Sequence, residues 1–127
     1  MEIKTNCIIN SIKENPFNDN DKDYGCSYDG FVINTNIGEI RLGISNYQQC
    51  CENWNVNSTG YILPLEIDLI KINDVEDAFD DGGAVDIDFC NIGNTLFTVR
   101  LENHHNGYYA HSVYLSIFDE LIDWSTI

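Results

Sequence analysis

Val85-Asp86-Ile87-Asp88-Phe89 sets an apolar side chain at every odd position and a carboxylate at every even one. That two-residue period is the pattern of a strand with one dry face and one wet face. Leu65-Glu66-Ile67-Asp68-Leu69 repeats it upstream, and Thr95-Leu96-Phe97-Thr98-Val99-Arg100-Leu101 is a β-rich run downstream. The wet faces of the first two runs are acidic, so the residues that decide the fold also bear on what the protein meets.

Working outward, Phe31-Val32-Ile33-Asn34 and Glu39-Ile40-Arg41-Leu42-Gly43-Ile44 flank Thr35-Asn36-Ile37-Gly38, where Asn and Gly can supply the positive φ of a hairpin loop. A second hairpin is expected where Asn103-His104-His105-Asn106-Gly107 separates the Thr95 run from Tyr108–Ile117, because Asn-Gly suits a tight turn. Gly82-Gly83 is expected to turn the chain into the Val85 strand. Ile3, Cys7, Ile8 and Ile12 fit a helical stripe, but the Ile and Asn richness of this segment assigns Cys7-Ile8-Ile9 to a strand. Short helical turns are expected at Gln48–Trp54, Val75–Phe79 and Phe118–Ile122. The class is therefore mainly β with a minor helical part. Residues 1–127 should form a single domain, an antiparallel sheet or partly closed barrel with short helical insertions.

The 127 residues hold 6 bases against 21 acids, a formal net charge of −15. Phosphate contacts are made chiefly by Lys and Arg, so direct binding to nucleic acid or to an anionic membrane is not expected. With 43% hydrophobic residues, 7 Tyr, 6 Phe and 2 Trp, the chain has the material for a core and is not an acidic disordered tail. Met1-Glu2-Ile3-Lys4 does not begin a signal peptide, and no apolar stretch is long enough to span a bilayer, so a cytoplasmic location in a host cell is expected. The five cysteines, Cys7, Cys26, Cys50, Cys51 and Cys90, are odd in number and irregularly spaced, which suits free thiols.

Asn46-Tyr47-Gln48-Gln49-Cys50-Cys51-Glu52 after the early hairpin, and Asn106-Gly107-Tyr108-Tyr109 near the end, resemble two motifs of a family of small uncharacterised phage and prophage proteins. In that family a Gln-x-Cys-Cys-Glu element follows an early hairpin and an Asn-Gly-Tyr-Tyr hairpin comes late. The resemblance implies a phage origin and a β-rich fold, and supplies no activity.

Each constellation that carries chemistry has a structural alternative. Cys50-Cys51 offers two ligands, short of the four of a structural zinc site, and neighbouring strand residues point to opposite faces. One sulfur packed in the core beneath Trp54 is the preferred reading. His104, His105 and His111 could pair with a cysteine, but nothing in the spacing supplies the orienting third group that catalysis needs. Asp19-Asn20-Asp21-Lys22-Asp23-Tyr24-Gly25 opens like a calcium loop, then sets Tyr24 where the sharp-turn glycine belongs and Gly30 where a bidentate glutamate belongs. No enzyme, cofactor or metal site is expected.

What remains is the charge. Seven carboxylates and no base lie between Asp74 and Asp88. Glu66, Asp68, Asp86 and Asp88 should form rows about 6.6 Å apart along their strands, extended by Asp74, Glu76, Asp77, Asp80 and Asp81 on a loop or helical turn. Like charges held together cost stability. The functional expectation is a phage-encoded, non-enzymatic inhibitor that mimics nucleic-acid charge, with these nine acids meeting a basic host nucleic-acid-binding protein such as a CRISPR effector or another defence nuclease. The alternatives are a small-molecule- or metal-binding β domain using Cys50, Cys51 and the histidines, and an acidic phage accessory protein.

Overall fold

The computed structural model describes residues 1–14, 16–19, 26–46, 53–79, 82–104 and 111–127. They form ten strands: β1 (Glu2–Glu14), β2 (Phe17–Asp19), β3 (Cys26–Thr35), β4 (Glu39–Ser45), β5 (Asn53–Ser58), β6 (Leu65–Phe79), β7 (Gly82–Asn91), β8 (Asn94–His104), β9 (Ser112–Ile117) and β10 (Glu120–Thr126). Every pairing is antiparallel, in the order β10-β9-β4-β3-β1-β6-β7-β8-β5, with β2 added beside β3. The fold is mainly β, one antiparallel sheet that does not close into a barrel.

β1 is the strand about which the sheet bends. Its first part pairs with β6 from Glu2↔Lys71 to Ile9↔Leu65, and its second part pairs with β3 from Ile9↔Thr35 to Glu14↔Phe31. Bulges between Lys4 and Cys7 and between Ile9 and Ser11 accompany the handover, as expected where one strand serves two packed layers. The two arms share one apolar cluster: Phe31, Ile33, Ile40, Leu42, Val113, Leu115 and Ile117 on one side, Ile70, Ile72, Val85, Ile87, Phe89, Phe97, Val99 and Leu101 on the other. Phe89 and Phe97 stack within it at 4.4 Å between centroids. Polar contacts tie the two arms together. Asn103 Nδ2 donates to the Ile127 carbonyl at 2.9 Å, and Trp54 Nε1 donates to Asp29 Oδ2 at 2.8 Å.

A smaller aromatic cluster, Phe17, Tyr28 and Tyr114, forms beside the β3–β4–β9 arm. It exists because Gly30 and Gly43 face one another across β3 and β4, where an added Cβ would meet backbone at 2.0 Å and 2.6 Å respectively. The Phe17 ring covers the gap.

Three expectations need correction. Among the described residues there is no helix: Val75–Phe79 continues β6 and pairs back to Gly82 in β7, Trp54 lies in β5, and Phe118-Asp119 is a tight turn into β10. The late hairpin is also not formed by its flanking strands, because β8 pairs with β7 and β5 while β9 pairs with β4 and β10. Asn106-Gly107 itself lies outside the described residues, as do Gln48–Glu52, so the Gln-x-Cys-Cys-Glu and Asn-Gly-Tyr-Tyr elements do too. Finally, the β3–β4 hairpin is present but does not use positive φ. Its turn closes on the Thr35 hydroxyl, which accepts from the Ile37 and Gly38 amides at 3.2 and 3.1 Å and donates to the Gly38 carbonyl at 2.7 Å.

Candidate functional site

The acidic runs lie in β6 and β7, and burial shows which way each residue faces. In β7, Val85, Ile87 and Phe89 are buried, leaving Asp86 and Asp88 on the outer face. In β6 the inward set is Ile67 and then Ile70 and Ile72, so the alternation slips by one between residues 67 and 70. Glu66 and Asp68 are outward before the slip, and Lys71 and Asn73 after it. Asp74 shares the parity of Ile70 and Ile72 and sits opposite buried Val85, so it is exposed on the other side from Asp86 and Asp88. Glu76 and Asp77 belong to the β6 backbone, but their side chains, and all of Asp80 and Asp81, lie outside the described residues.

The outward carboxylates do not stand as a bare row. Register sets Asp86 between Asn73 of β6 and Arg100 of β8, and Asp88 between Lys71 and Thr98. Arg100 grips Asp86 through two parallel bonds, Nε to Oδ1 at 2.7 Å and Nη2 to Oδ2 at 2.9 Å, the two-point geometry that a guanidinium and a carboxylate favour. The bonded, charged Asp86, with a smaller contribution from Glu102, holds the Arg100 guanidinium protonated above its ordinary value. Asp88 accepts from the Thr98 hydroxyl at 2.6 Å and from Asn73 Nδ2 at 3.2 Å. Beside the Asp86–Arg100 pair an open hollow of about 400 Å³ is lined by Asn57, Ser58, Thr59, Asp86, Thr98 and Arg100. Asp68 is fixed differently, accepting the Ile92 amide at 3.0 Å at the β7–β8 turn.

Arg100 is the functional-face residue that the sequence reading missed, and a signal for it was present. The residues that β7 and β8 bury in the main apolar cluster are all odd-numbered, whereas a two-residue loop joining Asn91 to Asn94 pairs odd with even. Only a bulge reconciles the two, and one lies between Phe89/Phe97 and Cys90/Thr95. It is this extra residue that brings Arg100 beside Asp86 and Thr98 beside Asp88.

The other chemistry-bearing residues are dispersed. Cys7 and Cys90 are buried free thiols, and burial pushes the Cys7 thiol up from 9.0 against the opposing hydrogen bond with Thr35, which keeps it neutral and unreactive. His111 is buried, its ring centroid 4.9 Å from that of Trp54 and its Nδ1 against the Ser45 carbonyl, while His104 ends β8 in register with Asn53 and Gly82. Trp54 therefore packs on a histidine and bonds to Asp29. Cys50, Cys51, His105 and residues 20–25 of the calcium-like loop lie outside the described residues. Among the described residues, no group of three or more His, Cys, Asp or Glu is gathered for a metal ion. Compared with protein-family models, with curated proteins and with solved structures, the chain matches none.

Proposed function

We propose that the chain is a phage-encoded, non-enzymatic inhibitor that binds the basic surface of a bacterial nucleic-acid-binding protein, such as a CRISPR-associated or other defence nuclease, by offering carboxylates in place of phosphates. The observation that carries this reading is a net charge of −15 on a sheet whose register sets Glu66, Asp68, Asp86 and Asp88 on the outer face, with Asp68, Asp86 and Asp88 held by hydrogen bonds. Charge held on a preorganised scaffold steers a basic partner into register and loses little side-chain entropy on docking. The resemblance of two motifs to phage proteins is what supports a phage setting.

The carboxylates divide by how they are held. Asp68, Asp86 and Asp88 are engaged within the molecule, so partner contact on the outer face falls chiefly on Glu66, with exposed Asp74 on the other side of the sheet and Glu76, Asp77, Asp80 and Asp81 continuing the acidic segment. The test is a triple reversal, Glu66→Lys, Asp68→Lys and Asp74→Lys, scored by binding to the captured partner and by circular dichroism. Binding should fall at least about a hundredfold while the strand spectrum is unchanged, since a reversed charge adds repulsion to the lost attraction. A folded triple variant that binds like the wild type contradicts the reading.

A further inference from the structure

Between the two arms, where β3 approaches the edge strand β5, lies an open hollow of about 310 Å³ bordered by Glu14 and Asp29 on one side and by Trp54 and Val56 on the other. Alternation sets Asp29 on the face of β3 that carries buried Phe31 and Ile33, and Glu14, in register with Phe31, on the same face of β1. The two carboxylates are therefore diagonal neighbours on one face, within reach of a common ligand. Opposite them, Val56 packs against the main apolar cluster, and the Trp54 ring rests on that of buried His111. The hollow thus has one acidic wall and one apolar and aromatic wall.

Among the described residues neither carboxylate belongs to an ion pair. Asp29 accepts from Trp54 Nε1 at 2.8 Å and from Asn46 Nδ2 at 3.0 Å, and both donors are neutral. These bonds fix the direction of the carboxylate without cancelling its charge. Asp86 is the contrast: it is half-buried like Asp29, but a guanidinium grips both of its oxygens. Where Asp86 has Arg100, Asp29 and exposed Glu14 have the hollow. Two carboxylates bordering one space repel, and a cation placed between them offsets that cost. A carboxylate has about four acceptor sites, so the two bonds that Asp29 makes leave it able to accept from a further donor.

We infer that this hollow receives an arginine side chain of the partner protein, with the guanidinium between Glu14 and Asp29 and the methylene stem along Trp54 and Val56. The inference rests on the function proposed above and names the group by which the basic partner is anchored. Charge selects the occupant, because an anionic ligand, or a second copy carrying another −15, would be repelled from the same wall. Arginine suits the site better than lysine: its guanidinium is planar, is more weakly hydrated, packs on aromatic rings and presents five donors to the carboxylates. Its apolar stem covers apolar surface while the charged head stays at the acidic wall. An arginine seated in a pocket is also the kind of anchor that holds a complex, whereas rim charges chiefly speed encounter. Glu14 and Asp29 stand outside the acidic runs of β6 and β7, so the two contributions can be tested separately.

The test titrates three end-blocked glycine peptides that differ only at one central residue, arginine, lysine or the uncharged isostere citrulline, into the 15N-labelled protein. The arginine peptide should shift the Trp54 indole N–H resonance, identified by its loss in Trp54→Phe, and bind at least about tenfold tighter than the citrulline peptide and about threefold tighter than the lysine peptide. Glu14→Gln and Asp29→Asn should each lower its affinity at least about threefold. Glu14 is exposed, so its variant leaves the fold intact, and Asn at 29 still offers an oxygen to Trp54; an unchanged strand spectrum in circular dichroism checks both. Equal affinities for the arginine and citrulline peptides, a stationary Trp54 resonance at saturation, or undiminished binding by folded Glu14→Gln and Asp29→Asn variants would each overturn the inference. If those two variants keep the natural partner at full affinity while the triple acid reversal loses it, this inference fails and the proposed function stands.

Discussion

Gly38 shows how one residue can be required for a reason that its type only half suggests. The turn it closes is held by the Thr35 hydroxyl, and Gly38 is needed because a Cβ there would lie 2.5 Å from Phe118 Cδ1. Phe118 is fixed in turn by its amide, which donates to the Glu39 carbonyl at 2.9 Å. Gly38→Ala should therefore destabilise the fold by about 1–3 kcal/mol, an overpacking cost, read as a lowered midpoint in thermal or urea denaturation. The presence of a turn was legible from Asn36 and Gly38, because those residue types gather at turns whatever the mechanism. The partner of Gly38 was not, since Phe118 arrives from a turn eighty residues away. The same limit applies to Asp86, which reads as a free acid in the strand and acquires Arg100 only through cross-strand register.

The strands themselves were largely readable, because alternation reports directly on which side of a sheet is dry. The Leu65 and Val85 runs, the Thr95 run and the Phe31–Ile44 hairpin all lie in strands, and Cys7-Ile8-Ile9 is part of β1. Alternation does not say which strand lies beside which, and the late hairpin failed for that reason. A shared pattern of apolar residues allows β8 and β9 to be neighbours, but the bent sheet sends them to different arms. Val75–Phe79 was misread because its acids obscured the alternation, although pairing with β7 keeps it extended as far as Phe79↔Gly82. The bend at β1 gives a sharp element-scale expectation. Ile9 is fully buried and pairs with both Leu65 and Thr35, whereas its neighbour Ile8 points outward. Ile9→Ala should cost about 2–5 kcal/mol and Ile8→Ala no more than about 0.5 kcal/mol in equilibrium unfolding.

At the scale of the whole molecule the charge is distributed differently from the row that alternation alone suggests. The slip in β6 separates Glu66 and Asp68 from Asp74, and Lys71 and Arg100 interrupt the acids of β7. Among the described residues three ion pairs form, Arg41–Glu39, Lys71–Glu2 and Arg100–Asp86, and with 21 acids against 6 bases in the sequence the net field is negative. Such a field acts at a range set by salt, about 10 Å at 0.1 M and 3 Å at 1 M. The most direct test of the account is capture from a bacterial lysate on the immobilised protein at about 0.1 M salt, followed by elution with about 1 M salt or with nucleic acid. The account predicts a basic nucleic-acid-binding protein that is released by both treatments. A specifically retained partner that resists both high salt and competing nucleic acid would contradict it.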